Sequence, residues 1–200
     1  MLLLPLVIIF WIIGTESGLN FVYQNTKSYI PGSITIGKLQ GSLVGSISAN
    51  DLQYKNNGIL INVTKLTMNW LPAGLLTNSL DVSYLHLQTV KINLSAKEKS
   101  KLDQPIILPE NDLHWHISLN NVVIDNFSLN QEDKILGLKQ IKLDASTLFN
   151  QVKLKSLVFI TEHSELNLKG QLNLSQNFKH KFEMDWQVKL PANATLKSKG

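Results

Sequence analysis

The segment FEMDWQVKL, residues 182–190, decides the fold class of this chain, because apolar and polar side chains alternate along it without a break. An alternation with a period of two places one kind of side chain on each face of a β-strand. Similar alternation begins near Ile34 and continues, with local slips, to Gly200. The sequence therefore predicts a mainly β protein, built around an elongated antiparallel sheet with one apolar face.

That apolar face needs a cover, and the sequence beyond residue 31 carries almost no helix signal that could supply one. Three covers are open: a second sheet, the same sheet folded on itself, or a bound ligand. The identity of the cover therefore separates the possible functions.

The composition excludes some classes of function. The 200 residues are 44% hydrophobic and 17% charged, which is ample apolar content for a core. All 19 basic residues are Lys, and the net charge is only +4. Because Arg is favoured for bidentate contacts with phosphates and base edges, we expect no nucleic-acid partner. The sequence has no Cys, which excludes disulfides and thiolate metal sites within it.

Residues 1–14 form an apolar segment that only Pro5 interrupts. About twelve helical residues span roughly 18 Å, which is less than the ~30 Å hydrocarbon core of a bilayer. No Lys precedes the segment, although membrane anchors normally begin with positive charge. We expect a membrane anchor that is retained rather than cleaved and whose basic start is missing. The predicted anchor residues are Leu2, Leu6, Ile9, Phe10, Trp11 and Ile13.

Residues 15–31 predict a short amphipathic helix or connector. Thr15 or Ser17 can cap its N-terminus, and Pro31-Gly32 ends it. Two placements are open for this helix: on the membrane surface, or packed on the first strands. Residues 32–200 form the β region, which we expect to be the start of a longer repetitive structure.

Turn signals divide the β region. Asn57-Gly58 predicts a tight hairpin, because both residues tolerate positive φ. The apolar phase slips by one residue between Val63 and Leu66, which indicates a bulge or a new strand. Pro72 breaks the sheet. A polar loop is predicted at Ser95–Gln104 and an extended segment at Pro105–Pro109; later strands are predicted at Leu113–Leu119, Val123–Leu129, Gly137–Ala145, Val152–Ile160, Leu166–Leu174 and Phe178–Leu190.

Residues that could do chemistry are scattered. His114 and His116 share a strand face with Glu110 and Asp112, but Trp115 and Ile117 take the opposite face. We therefore interpret the His pair as part of the solvent face rather than as metal ligands. No catalytic pairing, phosphate loop or nucleophile elbow is present in the sequence. We expect no enzyme activity, no cofactor and no metal.

Several short motifs occur along the chain in this order: Gly14-Thr15-Glu16-Ser17-Gly18, Pro31-Gly32, Gly41-Ser42-Leu43-Val44-Gly45, Leu66-x-Met68-x-Trp70-x-Pro72 and Gly170-Gln171-Leu172. In their order and spacing, these motifs resemble the N-terminal part of the TamB family, an AsmA-like group of bridge-like lipid-transfer proteins. The resemblance covers essentially the whole chain. The chain is several-fold shorter than the family's full length, so we expect an N-terminal portion.

The resemblance implies a curved sheet, folded like a taco, with an apolar groove inside. It implies a single-pass anchor in the bacterial inner membrane, with most of the chain in the periplasm. It further implies phospholipid carriage toward the outer membrane and support of outer-membrane protein and autotransporter assembly and protein secretion. The implied partner is an outer-membrane Omp85-type protein, TamA-like, which would bind a C-terminal region absent from this chain.

The groove hypothesis assigns the apolar residues of the alternating pattern to lipid contact, whereas ordinary packing of one sheet on another would account for at least half of the same residues. Two other functions stay open: a scaffold that templates outer-membrane proteins by β-augmentation without carrying lipid, and a passive anchored surface protein with a closed core. The candidate groove residues are Ile59, Ile61, Val63, Met68, Trp70, Leu166, Leu168, Leu172, Leu174, Met184, Trp186 and Val188.

Overall fold

In the part of the chain that the structure describes, ten strands form one sheet, and their order in the sheet follows their order in the chain. The structure is a computed structural model that describes residues 3–95, 115–132, 134–174, 179–189 and 195–199. Two helices precede the strands, and short 3₁₀ turns lie at Lys27–Tyr29 and Pro72–Thr77. The elements are α1 (Leu3–Gly14), α2 (Glu16–Thr26), β1 (Ser33–Gly41), β2 (Ser46–Asn56), β3 (Ile59–Leu71), β4 (Ser79–Leu94), β5 (His116–Gln131), β6 (Lys134–Leu148), β7 (Gln151–Ile160), β8 (Ser164–Asn173), β9 (His180–Lys189) and β10 (Thr195–Lys199).

Every neighbouring pair of strands is antiparallel except β4 and β5, which run parallel. Ser79 is in register with His116, and Leu94 with Gln131. The prediction of a wholly antiparallel sheet is therefore wrong at this pair. Parallel neighbours need a long connection, and here 21 residues separate Leu94 from His116. Apart from Ser95, the predicted polar loop and Pro105–Pro109 segment lie outside the described residues.

The strands predicted at Leu113–Leu119 and Val123–Leu129 are wrong as separate elements, because β5 includes residues 116–119 of the first and all of the second. Asn121 takes a φ of 50°, and the register with β6 shifts between Leu119 and Val122. An irregularity of this kind absorbs a slip in apolar phase without ending the strand. The slip between Val63 and Leu66 has the same outcome, since β3 continues past it.

The slips of neighbouring strands fall on one line across the sheet. Asp51 on β2, Thr89 on β4 and Asn126 on β5 have φ values of 53°, 53° and 52°. Each of them directly precedes one member of a single row of paired apolar residues, in which Leu52, Val63, Val90 and Phe127 lie side by side. Because these neighbouring strands change phase at the same level, their apolar residues stay on one face.

The predicted turns at the first hairpins are confirmed. Asn57 and Gly58 close the β2–β3 hairpin with φ values of 41° and 85°. Pro72 starts the 3₁₀ turn between β3 and β4, and Asn78 ends that turn in the left-handed region. Positive φ at Asn and Gly costs little, which explains why these residues stand there.

Helix α2 lies along the outer edge of β1. The side-chain amide of Asn20 donates to the carbonyl of Leu39 at 3.3 Å, and the hydroxyl of Tyr23 donates to the carbonyl of Ile34 at 3.3 Å. An edge strand exposes unpaired backbone groups that invite pairing with another chain, and these two bonds cover part of that edge. The structure thus favours the packing of residues 15–31 on the first strands.

A tight elbow joins α1 to α2. Thr15 caps α2, since its Oγ1 accepts from the amide of Gly18 at 3.0 Å, and it donates to the carbonyl of Trp11 at 2.7 Å. The amide of Val44, in the β1–β2 turn, donates to the carbonyl of Ile13 at 3.1 Å. The end of α1 is therefore fastened to the first hairpin of the sheet.

Helix α1 contains 12 residues, and none of the described helices combines the length and apolar character needed to cross a membrane. The membrane anchor predicted for residues 1–14 is therefore not confirmed. Its side chains are nevertheless largely exposed, with Phe10 at 75%. Of the other predicted anchor residues, Ile9 and Trp11 are exposed and Ile13 is half-buried, whereas Leu2 and the Leu6 side chain lie outside the described set.

Gly18→Ala should weaken the packing of α1 on α2 and the hydrogen bond from the Val44 amide to the Ile13 carbonyl. A Cβ at Gly18 would lie 2.3 Å from the carbonyl oxygen of Ile12, so backbone must move, at a cost of about 1–3 kcal/mol. The matched control is Gly14→Ala, because nothing lies within 4 Å of a Cβ there. Hydrogen exchange of the Val44 amide should accelerate in Gly18→Ala and stay near the original rate in Gly14→Ala. Equal rates in the two variants would contradict this account of the elbow.

Candidate functional site

Two rows of apolar residues cross nine strands of the sheet and form what we call the apolar track. Residues paired in register lie on the same face, so each row is a continuous line of side chains. With strands ~4.8 Å apart, each row is about 38 Å long. The first row is Leu39, Ala49, Leu66, Leu87, Ile124, Ile141, Phe159, Leu166 and Trp186. The second row is Gly41, Ile47, Met68, Leu85, Val122, Leu143, Leu157, Leu168 and Met184.

A third row widens the track from β3 to β9. Its registered residues are Trp70, Val82, Leu119, Ala145, Leu154, Gly170 and Phe182. Gly170 stands beside the ring of Phe182, where a Cβ would lie 2.3 Å from the Phe182 ring. Glycine therefore makes room at this point for an aromatic side chain on the next strand.

Eleven of the twelve predicted groove residues lie within strands, at the alternating positions that form the apolar face. Met68, Leu168, Met184, Leu166 and Trp186 belong to the two rows of the track. Leu174 differs, since it follows the end of β8 and its amide donates to the carbonyl of Asn150 at 2.7 Å. Whether any of these residues contacts lipid stays a prediction.

Sequence reasoning missed the central part of the track. The residues on β4 to β7 carry the same alternation, but slips near Thr89, Asn121 and Asp144 interrupt it. Joining the segments on either side of each slip would have found them. The missed residues are Leu85, Leu87, Val122, Ile124, Ile141, Leu143, Leu157 and Phe159.

The track is only partly covered. No large side chain among the described residues is fully buried, which distinguishes this sheet from the core of a two-sheet sandwich. Among the strand residues whose burial is described, the buried apolar ones lie on β2 to β5: Ala49, Val63, Val82, Val90 and Val122. On β9 the exposed fractions of Met184 and Trp186 are 46% and 37%. The apolar face is therefore an open surface that becomes more accessible toward β9.

The opposite face carries a polar cluster that links β4, β5 and β6. Nε2 of His86 lies 2.6 Å from Oδ2 of Asp125, and the Gln140 amide donates to Oδ1 of Asp125 at 2.7 Å. These two hydrogen bonds, first Gln140 and then His86, lower the pKa of Asp125 below its ordinary 3.8. Because the cluster spans the parallel pair, we interpret it as a structural clamp.

The predicted His pair is only half described: His116 is half-buried at the start of β5, and His114 lies outside the described residues. Within the described ranges, no group of three or more His, Asp or Glu side chains is placed to hold a metal ion. The site that the structure offers is thus the apolar track itself, which suits a long apolar ligand.

Residues 5–106 match the family model described as TamB, N-terminal domain. The match begins in α1 and extends past β4, so it includes the elbow, the covered edge of β1 and the first four strands of the track. It covers about half of the chain. No solved structure matches the chain.

Asp125→Asn should lower the free energy of unfolding at neutral pH. The lowered pKa of Asp125 means that its carboxylate stabilises the folded state above pH 3.8 and that this contribution disappears as pH falls through the lowered pKa. The stability difference between the original chain and Asp125→Asn, measured by urea unfolding, should therefore shrink below pH 3.8. Gln140→Ala should reproduce part of the loss. A difference that is constant between pH 7 and about pH 2.5 would contradict the assignment.

Proposed function

Since this chain belongs to the TamB N-terminal domain family, we propose that its apolar track holds the acyl chains of phospholipids and guides them across the strands. The observation that carries this proposal is the pair of uninterrupted apolar rows from β1 to β9. An open apolar face of this length needs a cover, and acyl chains have the matching shape and chemistry.

The holding energy comes from burial of acyl surface. Each methylene that leaves water contributes about 0.8 kcal/mol, or ~25 cal/mol per Å². Because neighbouring strands present similar side chains, the binding free energy of an acyl chain is similar at each strand along the row. Movement therefore requires no covalent step, and we propose that the protein is not an enzyme and uses no cofactor.

The direction of transport follows from the placement that we propose for the two ends of the sheet. Helix α1 would anchor the β1 end in the bacterial inner membrane, with the strands in the periplasm. Exposed apolar side chains on α1, Phe10 above all, support contact with lipid. The distal end would deliver phospholipid toward the outer membrane and meet an Omp85-type, TamA-like partner. Support of outer-membrane protein assembly and secretion is the proposed outcome.

Two observations weigh against the other functions that the sequence left open. A β-augmentation scaffold needs a free strand edge, and at the β1 edge Asn20 and Tyr23 of α2 already bond to two outward carbonyls, which leaves β10 as the other edge of the described sheet. A passive protein with a closed core needs filled packing, whereas the described part of the chain holds no fully buried large side chain. Lipid carriage therefore has the stronger support.

Leu168→Asp should block lipid movement, because it places a charge in the second row of the track between Leu157 and Met184. Burying an unpaired carboxylate against acyl chains is costly, so lipid should not pass that strand. The matched control is Asn167→Asp, which adds the same charge on the opposite face and keeps an oxygen to accept from Ser156. Phospholipid transfer between donor and acceptor vesicles should fall strongly in the first variant only.

Circular dichroism of both variants checks that the sheet is intact, and Leu168→Met provides a variant that preserves apolar character. Equal transfer rates for Leu168→Asp and Asn167→Asp in folded protein would count against carriage along the track. Loss of transfer in Leu168→Met would also count against it, since that substitution keeps the surface apolar.

A further inference from the structure

We propose that strands β7, β8 and β9 bind a phosphate-bearing anion on the polar face of the sheet, opposite the apolar track. A cavity of about 320 Å³ opens there, and we call the polar residues that line it the lysine cradle. The proposal does not depend on lipid carriage, because the track and the cradle lie on different faces. The cradle consists of Lys153, Lys155, Lys169, Lys181, Gln171 and Glu183.

The register of the three strands brings the cradle residues together on one face. Gln171 on β8 lies between Lys153 on β7 and Lys181 on β9. Leu154 and Gly170 also border the cavity, but they belong to the third row of the apolar track. Because side chains alternate between the faces of a strand, the cradle residues next to them point away from the track.

A bulge in β7 places a further lysine in the cradle. The register of β7 with β8 shifts between Leu154 and Leu157, so β7 has two residues where β8 has only Lys169. Lys155 is the first of these two residues, and its Nζ lies 3.4 Å from Oδ1 of Asn120. Bulges re-aim side chains locally, and this one brings an additional ammonium group beside Lys169.

The cradle carries positive charge that the protein itself does not neutralise. Its four lysines and the single Glu183 give a net charge of +3. Nζ of Lys181 lies 3.7 Å from Oε1 of Glu183, and both side chains are largely exposed, so this ion pair is weak. Within the described residues, neither Lys153 nor Lys169 has a salt-bridge partner. Their ammonium groups are therefore available to an external anion.

The lysines are concentrated at the cradle rather than distributed along the polar face of β8 and β9. The next two pairs on that face are Asn167 with Asp185 and Glu165 with Gln187, and they contain no lysine. Like charges on neighbouring strands destabilise a sheet, so a face that only needs to be solvated gains nothing from this clustering. A bound anion would offset the repulsion among the lysines.

Phosphate chemistry fits the cradle best. Each ammonium group is a compact charge with three donors, and a phosphate group offers several strong acceptor oxygens to several amines at once. The side-chain amide of Gln171 adds a neutral donor between two lysines. The charge of +3 matches a phosphomonoester or a diphosphate better than a single carboxylate. A lipid headgroup and a free phosphate compound both carry this chemistry, so the test uses one probe for each source.

Calorimetric titration of the full chain with inorganic diphosphate at low salt tests the free source. Lys153→Gln with Lys169→Gln removes two charges from the cradle and should weaken binding by about tenfold or more. The matched control, Lys65→Gln with Lys91→Gln, removes the same charge from exposed positions on β3 and β4 and should bind like the original chain. Circular dichroism checks that both double variants keep the sheet.

Co-sedimentation with phosphatidylcholine vesicles, with and without phosphatidic acid, tests the lipid source. Any contribution of α1 is common to both vesicle types, so only the increase caused by phosphatidic acid reports on the cradle. Loss of that increase in the cradle variant alone would identify a lipid headgroup, and loss of diphosphate binding in that variant alone would identify a free phosphate compound. Equal behaviour of the two double variants, binding of acetate as strong as that of diphosphate at matched ionic strength, or no response of the original chain to either probe would overturn the proposal.

Discussion

A single-layer sheet with one apolar face cannot leave that face in water, and this constraint organises the whole molecule. The apolar alternates of nine strands stay in register, so the face is one continuous surface rather than a set of patches. Within the described residues only α1 and α2 are helices, and they lie at the β1 edge rather than over the face. Burial of some other apolar material would therefore stabilise the sheet; under the proposal of lipid carriage this material is acyl chains, and the stabilisation grows with the acyl surface that the sheet covers.

The start of the chain is organised around the edge of that sheet. Two of the motifs by which the sequence resembles the TamB family meet in space: the turn that contains Val44 bonds to Ile13, next to the Gly14–Gly18 elbow. The close approach at Gly18 and the cap from Thr15 fix the direction in which α1 leaves the sheet. Because α2 covers carbonyls on β1, growth or pairing at this edge is discouraged. The elbow thus couples the apolar helix, the covered edge and the beginning of the track.

Sequence reasoning predicted the parts of the fold that local chemistry determines. Alternation identified the strands, Asn57-Gly58 identified a hairpin, and the slip after Val63 marked a real irregularity. The parallel pairing of β4 with β5 could not be predicted, because it depends on where the chain re-enters the sheet and not on the pattern within either strand. The middle of the track was missed for a related reason: slips at Asn121 and elsewhere hide the continuity of a face until the register is known. The sequence pattern also could not predict that the track is half-buried rather than part of a closed core, because this depends on whether a second layer packs on the sheet.

In-cell photocrosslinking along one row of the track is the most direct test of lipid carriage. A photoreactive residue would replace Leu66 on β3, Ile141 on β6 or Leu166 on β8, with Lys142 and Asn167 as neighbouring controls on the opposite face. Mass spectrometry would then identify the adducts. The account predicts phospholipid adducts at all three track positions and none at the controls. Protein adducts, or equal capture of lipid on both faces, would contradict it.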